Sequence, residues 1–340
     1  RLRRRGNPQR PTKTNSLDGP NQGYRPGGLL LTVSAQAQDL QSALQDRTFT
    51  DTSGLNLPYR LFVPANYDPN EKYPLVLYLH GSGERGTDNR LPLDIGQFAQ
   101  TFYSPEVQTA YPSFFLVPQC PLEVTGGDPR GEFWVNNFET YPDGTPHPGF
   151  SWTSYSTADY PVSASLSAVT NLIPTLLNEF SIDSSRLYAT GWSMGGDGTW
   201  DLLARNPGLF AAGAPIAGVG DPTHAAQLAS TPLWVFQGAE DTALYPDAAR
   251  TIVSAIQAEG GNIRYTEYAD GGHYIVAEEG RVYQEPGFMD WLFAQKLSNK
   301  EANPPTPTQD LPEPGTLVLL VLGLGGGYLV KTSCQRAKRR

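Results

Sequence analysis

A serine, a choice of carboxylates and a histidine occur in an order that suits nucleophilic acyl chemistry: Ser193, then Glu240 or Asp241, then His273. The serine lies in Leu187-Tyr188-Ala189-Thr190-Gly191-Trp192-Ser193-Met194-Gly195-Gly196. This reads as an apolar strand entering Gly-x-Ser-x-Gly and leaving into a helix-forming stretch, Thr199 to Arg205. A tight strand-to-helix turn holds a serine in a strained geometry with its Oγ pushed clear of the sheet. Gly191 and Gly195 suit a crossing too close for side chains. The first N–H groups of the helix, at the positive end of its dipole, then face the carbonyl oxygen of a bound acyl group.

The carboxylate follows a second buried-strand pattern, Leu233-Trp234-Val235-Phe236-Gln237-Gly238. A carboxylate just past a strand end sits at the rim where open α/β sheets build their sites. Asp241 is favoured because a loop and helix begin beyond it, at Tyr245-Pro246-Asp247-Ala248; Glu240 is its rival and Asp270 a weaker one. The alternating stretch Ile263–Tyr268 leads to Asp270-Gly271-Gly272-His273. The expected roles are nucleophile for Ser193, orienting acid for Asp241 and general base for His273.

Four histidines are present, so elimination is short. His80 follows the strand-like Leu75–Leu79 and precedes Gly81-Ser82-Gly83, where a ring that holds a loop is the expectation. That loop would offer the N–H of Ser82 as an oxyanion donor beside the N–H of Met194. His147 sits among Pro and Gly, and His224 follows Gly220-Asp221-Pro222-Thr223; both read as surface loops. Scattered histidines and two isolated cysteines give no metal-ligand cluster, and the chemistry calls for no cofactor. Cys334 lies in the tail, which leaves Cys120 as the sole cysteine of the body and allows no disulfide within it.

Four segments carry a more specific likeness: His80-Gly81-Ser82-Gly83-Glu84-Arg85-Gly86, Pro118-Gln119-Cys120-Pro121, Gly191-Trp192-Ser193-Met194-Gly195-Gly196-Asp197-Gly198-Thr199-Trp200-Asp201 and Ala269-Asp270-Gly271-Gly272-His273. In order, they resemble the α/β-hydrolase family described as predicted peptidases. That family is akin to phospholipase/carboxylesterases, feruloyl and acetylxylan esterases and polyhydroxyalkanoate depolymerases. The resemblance covers about residues 48–297 and implies hydrolysis of an ester, with a peptide bond as the alternative. Gln237 stands where relatives often carry His, and Asp197 occupies a position often apolar or aromatic. The latter departure bears on the pocket or the first helical turn.

The wider pattern agrees with that fold. Strand-like segments are Tyr59–Val63, Leu75–Leu79, Phe114–Val117, Leu187–Thr190, Ala212–Ile216, Leu233–Phe236 and Ile263–Tyr268. Helical patterns cover Pro161–Phe180, Thr199–Arg205 and Pro246–Glu259. Apolar strands alternating with amphipathic helices predict an α/β class with a doubly wound, mostly parallel sheet in a catalytic domain over 38–297. Between Pro121 and Pro161 runs a long aromatic-rich insertion holding Phe133, Trp134, Phe138, Tyr141, Phe150, Trp152, Tyr155 and Tyr160. Such loops commonly form lids or binding rims. Its aromatics either stack on sugar rings or aryl acids or pack the loop onto the body. Trp134 is the foremost candidate for a pocket wall. Glu84 and Arg85 either bind substrate or fix the oxyanion loop.

Both ends carry addressing signals. Residues 1–25 are basic, Leu29-Leu30-Leu31-Thr32-Val33 is apolar, and Ala35-Gln36-Ala37 suits signal peptidase. With no starting Met, residues 1–37 read as a truncated signal peptide, a disordered cytoplasmic tail being the alternative. Near the other end, Pro312-Glu313-Pro314 precedes the apolar Leu317–Val330 and a basic tail ending Arg339-Arg340. Residues 298–311 form a Pro-rich linker ahead of it. Residues 312–340 resemble a PEP-CTERM sorting signal. That likeness implies a short transmembrane segment, an exosortase partner and display or release at the surface of a Gram-negative bacterium. Plain tail anchoring is the alternative.

Charge excludes one class of partner. Residues 1–37 carry a net +6 and residues 331–340 a net +5, so against −9 for the chain the body between them holds −20. So acidic a body repels a phosphate backbone, which argues against nucleic-acid binding. The expected protein is an exported serine hydrolase acting on small-molecule or polysaccharide-linked esters. A peptidase of the same fold and a non-catalytic binding module on a hydrolase scaffold stand as alternatives.

Overall fold

The computed structural model describes residues 43–94, 99–122, 133–136, 161–275 and 281–298. The basic N-terminal segment, the C-terminal sorting-type segment, His147 and most of the aromatic-rich insertion lie outside the described residues. Eight strands form one sheet: β1 (Leu44–Thr50), β2 (Asn56–Phe62), β3 (Tyr73–Leu79), β4 (Phe114–Pro118), β5 (Ile182–Trp192), β6 (Ala212–Ile216), β7 (Leu233–Gly238) and β8 (Ile263–Tyr268). Their order across the sheet is β1-β2-β4-β3-β5-β6-β7-β8. The β1–β2 and β2–β4 pairs are antiparallel, and every pair from β4 to β8 is parallel.

The strand β3 shows why the sheet is central. All seven of its residues are buried, as a continuous apolar run covered on both faces must be. Period-two alternation sends Leu75, Leu77 and Leu79 to one core and Val76 and Tyr78 to the other. The first core receives α1 (Ala164–Glu179), α2 (Met194–Arg205) and α3 (Pro246–Ala258); the second receives Phe102, Tyr103 and α4 (Phe288–Ala294). From β3 the chain turns to β4 on one side, then returns as β5 on the other. A crevice opens at such a switch point, beyond the carboxyl ends of the strands. The loop after β3 and the turn after β5 emerge there side by side, since Leu79 pairs with Gly191.

The doubly wound, mostly parallel sheet expected from the sequence is present, and β6 and β8 have the expected bounds. Three features extend that expectation. The edge strand β1 is mostly solvent-facing and its polar sequence carries little strand signal. The strand β5 begins five residues earlier than its apolar run, because Ile182 pairs with Tyr73 through the polar stretch Asp183–Arg186. The helix α4 is seven residues long and packs Phe288, Trp291 and Leu292 into the second core.

Candidate functional site

At the β5–α2 junction Ser193 adopts φ 56° and ψ −123°, a left-handed region that side chains rarely occupy. Such strain costs on the order of 1–3 kcal/mol and persists only when the surroundings enforce it. Here the enforcement is backbone packing. A Cβ on Gly195 would lie 1.9 Å from the Leu79 carbonyl oxygen, and one on Gly191 would lie 2.3 Å from that of Gly195. The Ser193 N–H donates to the Ile216 carbonyl at 3.0 Å. Although Ser193 occupies the N-cap position of α2, its side chain makes no capping bond, so its Oγ is left for another partner.

That partner is His273. Its Nε2 lies 2.9 Å from Ser193 Oγ and its Nδ1 lies 2.8 Å from Asp241 Oδ2. A carboxylate can only accept, so Nδ1 carries the proton and Nε2 is free to accept from the serine. Asp241 is buried beyond the end of β7. Burial alone would push its pKa up, but hydrogen bonds from His273 and from the Leu244 and Ala243 N–H groups outweigh it and hold the group below the usual carboxylate value. Gln237 donates to the same Asp241 Oδ2 at 3.0 Å and to the Leu244 carbonyl at 2.9 Å. Glu240 is exposed, and Asp270 is exposed with its carboxylate bonded to Arg281 at 2.9 Å. Of the three candidate acids, Asp241 alone meets the histidine.

Trp192 aligns that histidine from the other side. Its Nε1–H donates to the His273 carbonyl at 2.9 Å, and its ring centroid lies 5.3 Å from the imidazole. Sequence reading noted Gln237 only as a departure from the family pattern, and gave no role to Trp192 or to the exposed Tyr274 beside His273. The only available signal was adjacency, since Trp192 and Tyr274 are chain neighbours of triad-type residues.

The loop after β3 carries Ser82 on a single 3₁₀ turn, Ser82–Glu84. Met194 opens α2, so its N–H has no acceptor within the helix. The close approach of Gly195 to the Leu79 and His80 carbonyls brings this loop against the helix start. The loop is pinned by side chains from distant segments. His80 Nε2 accepts the Cys120 N–H at 2.9 Å, which leaves Nδ1–H to donate to the Gly81 carbonyl at 2.7 Å. Gln119 donates to the Glu84 carbonyl at 3.0 Å, and Arg85 Nε donates to the Ser82 carbonyl at 3.1 Å. Burial, partly offset by the Gly81 bond, lowers the His80 pKa to about 4. Burial also raises Glu84 to about 7, and one of its carboxyl oxygens finds no hydrogen-bond partner. Glu84 lies 3.9 Å from His80 Nδ1, but with His80 neutral at pH 7 the two do not form an ion pair.

This arrangement also includes Trp134, the expected candidate for a pocket wall. The residue is fully buried, its Nε1–H donates to the His80 carbonyl at 3.0 Å, and its ring packs on His80 and against Gly198. Ser163 Oγ donates to its carbonyl at 2.7 Å while capping α1. Trp134 is therefore packed as a brace beneath the loop after β3. Arg85 spends its Nε on the same loop and lays its guanidinium 4.1 Å from the centre of the Phe133 ring. Glu84 is likewise buried in the loop. Asp197 accepts the Val219 N–H at 2.6 Å, tying the first turn of α2 to the segment after β6. Cys120 is buried, with Sγ 3.5 Å from Ser165 Oγ. Among the described residues no group of three or more His, Cys, Asp or Glu side chains is placed to hold a metal ion.

Comparison with known proteins places this geometry in context. The chain is similar to a thermostable esterase of known structure, with 34% sequence identity and a TM-score of 0.60, over 76% of this chain and 64% of that one. This chain has the α/β-hydrolase fold. Its residues 158–292, a span that includes Ser193, Asp241 and His273, match the Dienelactone hydrolase family. A shorter stretch of 81 residues, 23% of this chain, is 36% identical to acetylxylan esterase A of Emericella nidulans and spans 26% of that protein. A ferulic acid esterase shares the fold at 17% identity and a TM-score of 0.50, covering 74% of this chain and 98% of its own. The chain thus spans less than two thirds of the thermostable esterase and about a quarter of the acetylxylan esterase it resembles.

Proposed function

We propose that this protein is a serine hydrolase that cleaves carboxylic esters through an acyl-enzyme. The observation that carries the reading is the continuous relay from Ser193 Oγ through His273 to Asp241, at 2.9 and 2.8 Å, mounted on a strained turn. In the first half-reaction Ser193 Oγ attacks the ester carbonyl as His273 Nε2 takes its proton. The N–H groups of Ser82 and Met194 hold the resulting oxyanion. Collapse expels the alcohol, which receives the proton from His273. Water then attacks the acyl-enzyme with His273 as base, and release of the acid restores Ser193. Asp241 stays ionised throughout, holding the imidazole tautomer and stabilising its charged form.

Similarity to a thermostable esterase over 76% of this chain supports an ester over a peptide bond. Ester leaving groups also need less acid assistance than amines. The catalytic domain spans 38–297 in this reading. The flanking segments serve export: residues 1–37 as a signal-peptide-like segment, and residues 312–340 as a PEP-CTERM-type signal for an exosortase. Short-chain p-nitrophenyl esters and peptide p-nitroanilides, assayed side by side with Ser193→Ala as control, test the chemistry. Ester turnover that vanishes in the variant supports the proposal. Turnover of anilides alone would favour a peptidase, and a folded protein that turns over neither would favour a binding module.

A further inference from the structure

Tyr274 directly follows His273 and is 60% exposed. Its position is set by packing. The ring centroid lies 5.2 Å from that of Trp192 and 5.7 Å from that of His273, nearly perpendicular to the imidazole. Trp192 is itself buried and anchored through its N–H to the His273 carbonyl. The result is a propped aromatic ring with open surface beside the base.

The chemistry of the relay says which half of an ester would meet it. The oxyanion donors belong to Ser82 and Met194, which draw the carbonyl oxygen toward the loop after β3 and the start of α2. His273 Nε2 must return its proton to the departing alcohol, so the alcohol lies on the histidine side. A residue continuing from His273 borders that half. We infer that Tyr274 is the docking platform for the alcohol portion of the substrate, and that this alcohol presents a flat ring face. An aromatic ring binds such a face well, whether it is the C–H face of a pyranose or an aryl ring. The inference rests on the ester-hydrolase reading and narrows it to ring-bearing alcohols.

Three acetates that form the same acetyl-enzyme isolate the alcohol: ethyl acetate, phenyl acetate and an acetylated methyl xyloside. Each is assayed with wild type, Tyr274→Ala and Tyr274→Phe. For Tyr274→Ala, kcat/KM on the ring-bearing acetates falls about tenfold, the scale of a lost apolar contact, while ethyl acetate is unaffected. Tyr274→Phe behaves as wild type on all three. The larger loss between phenyl acetate and the xyloside identifies the kind of ring. An equal loss on all three acetates would overturn the platform and make Tyr274 a positioning residue for His273; no loss on any would overturn it outright. Wild-type failure on every acetate would sink the ester reading itself. Wild-type turnover with an unchanged preference in Tyr274→Ala would sink the platform alone.

Discussion

The serine turn and the loop after β3 emerge side by side from neighbouring strands, yet they are held in different ways. The turn is fixed by backbone against backbone: Gly191 and Gly195 sit where a single Cβ would strike a carbonyl oxygen of β3 or α2. The loop is fixed by side chains reaching in from far along the sequence, His80 to Cys120, Gln119 to Glu84 and Trp134 to His80. The first device is local and unforgiving. The second is distributed, so its members can be lost one at a time. In the proposed mechanism the nucleophile needs a strained backbone that nothing can relax, whereas a donor loop needs only to be kept in place.

The largest expected effect falls on the relay that leaves the turn. In Asp241→Asn the new amide would donate to His273 Nδ1, so the proton moves to Nε2 and the serine loses its acceptor. A kcat loss on the order of 10⁴-fold is expected, the scale seen when this tautomer is reversed in serine proteases. Glu240→Gln, on an exposed residue, should leave kcat unchanged. Steady-state kinetics on one ester decides the pair, and the reverse outcome would exchange their roles.

Gly195→Ala tests the unforgiving half of the comparison. Its Cβ would meet backbone at 1.9 Å, which no rotamer change relieves. The variant should lose more than about 4 kcal/mol of stability or fail to fold, a loss in the exceptional range for point mutants. Urea unfolding measures it. A variant with near-normal stability would show that the turn is held more loosely than its packing suggests.

Glu84→Gln probes the braced loop through pH. Burial raises the Glu84 pKa from 4.5 to about 7, so between those values the folded protein binds a proton that the unfolded chain has released. Its contribution is therefore complete below about 4.5 and is lost as pH rises through about 7, by up to about 3 kcal/mol at full loss. His80, lowered to about 4, acts in the opposite sense, its contribution being lost as pH falls from 6.5 toward 4. The two partly cancel in the wild type. Removing Glu84 should unmask the histidine: Glu84→Gln gains stability over wild type as pH rises from about 5 to 8. Melting temperatures for both proteins across that range give the difference curve, and parallel curves would contradict the assignment.

Trp134→Phe carries the smallest effect. It keeps the packing and deletes one N–H bond to the His80 carbonyl, so a loss of about 1 kcal/mol is expected, with a modest fall in kcat. Because the residue is buried, substrate preference should not change. A selective loss on one class of ester would restore Trp134 to the pocket wall.

The turn was legible in the sequence because its constraints lie within ten consecutive residues. The strand, the two glycines, the serine and the helix all follow one another, and the acid and base appear after their own strands in turn. The braced loop was legible only as a set of motifs. Nothing in Pro118-Gln119-Cys120-Pro121 says that Cys120 donates to His80, since that contact depends on β3 and β4 lying side by side. Burial is likewise a property of the assembled fold, which is why the sequence left Trp134 between a pocket wall and a packed brace, and why Tyr274 drew no notice. The edge strand β1 escaped for a related reason: its hydrogen bonds to β2 define it, while its exposed polar residues resemble a loop.

The central claim is that Ser193 is an activated nucleophile, and covalent labelling tests it most directly. The protein is treated with a fluorophosphonate and its intact mass and labelled peptide are determined, with Ser193→Ala and Asp241→Asn alongside. A single adduct on Ser193, absent from Ser193→Ala and formed far more slowly in Asp241→Asn, is the predicted result. A folded wild-type protein that takes no label, or a label that persists in Ser193→Ala, would contradict the account.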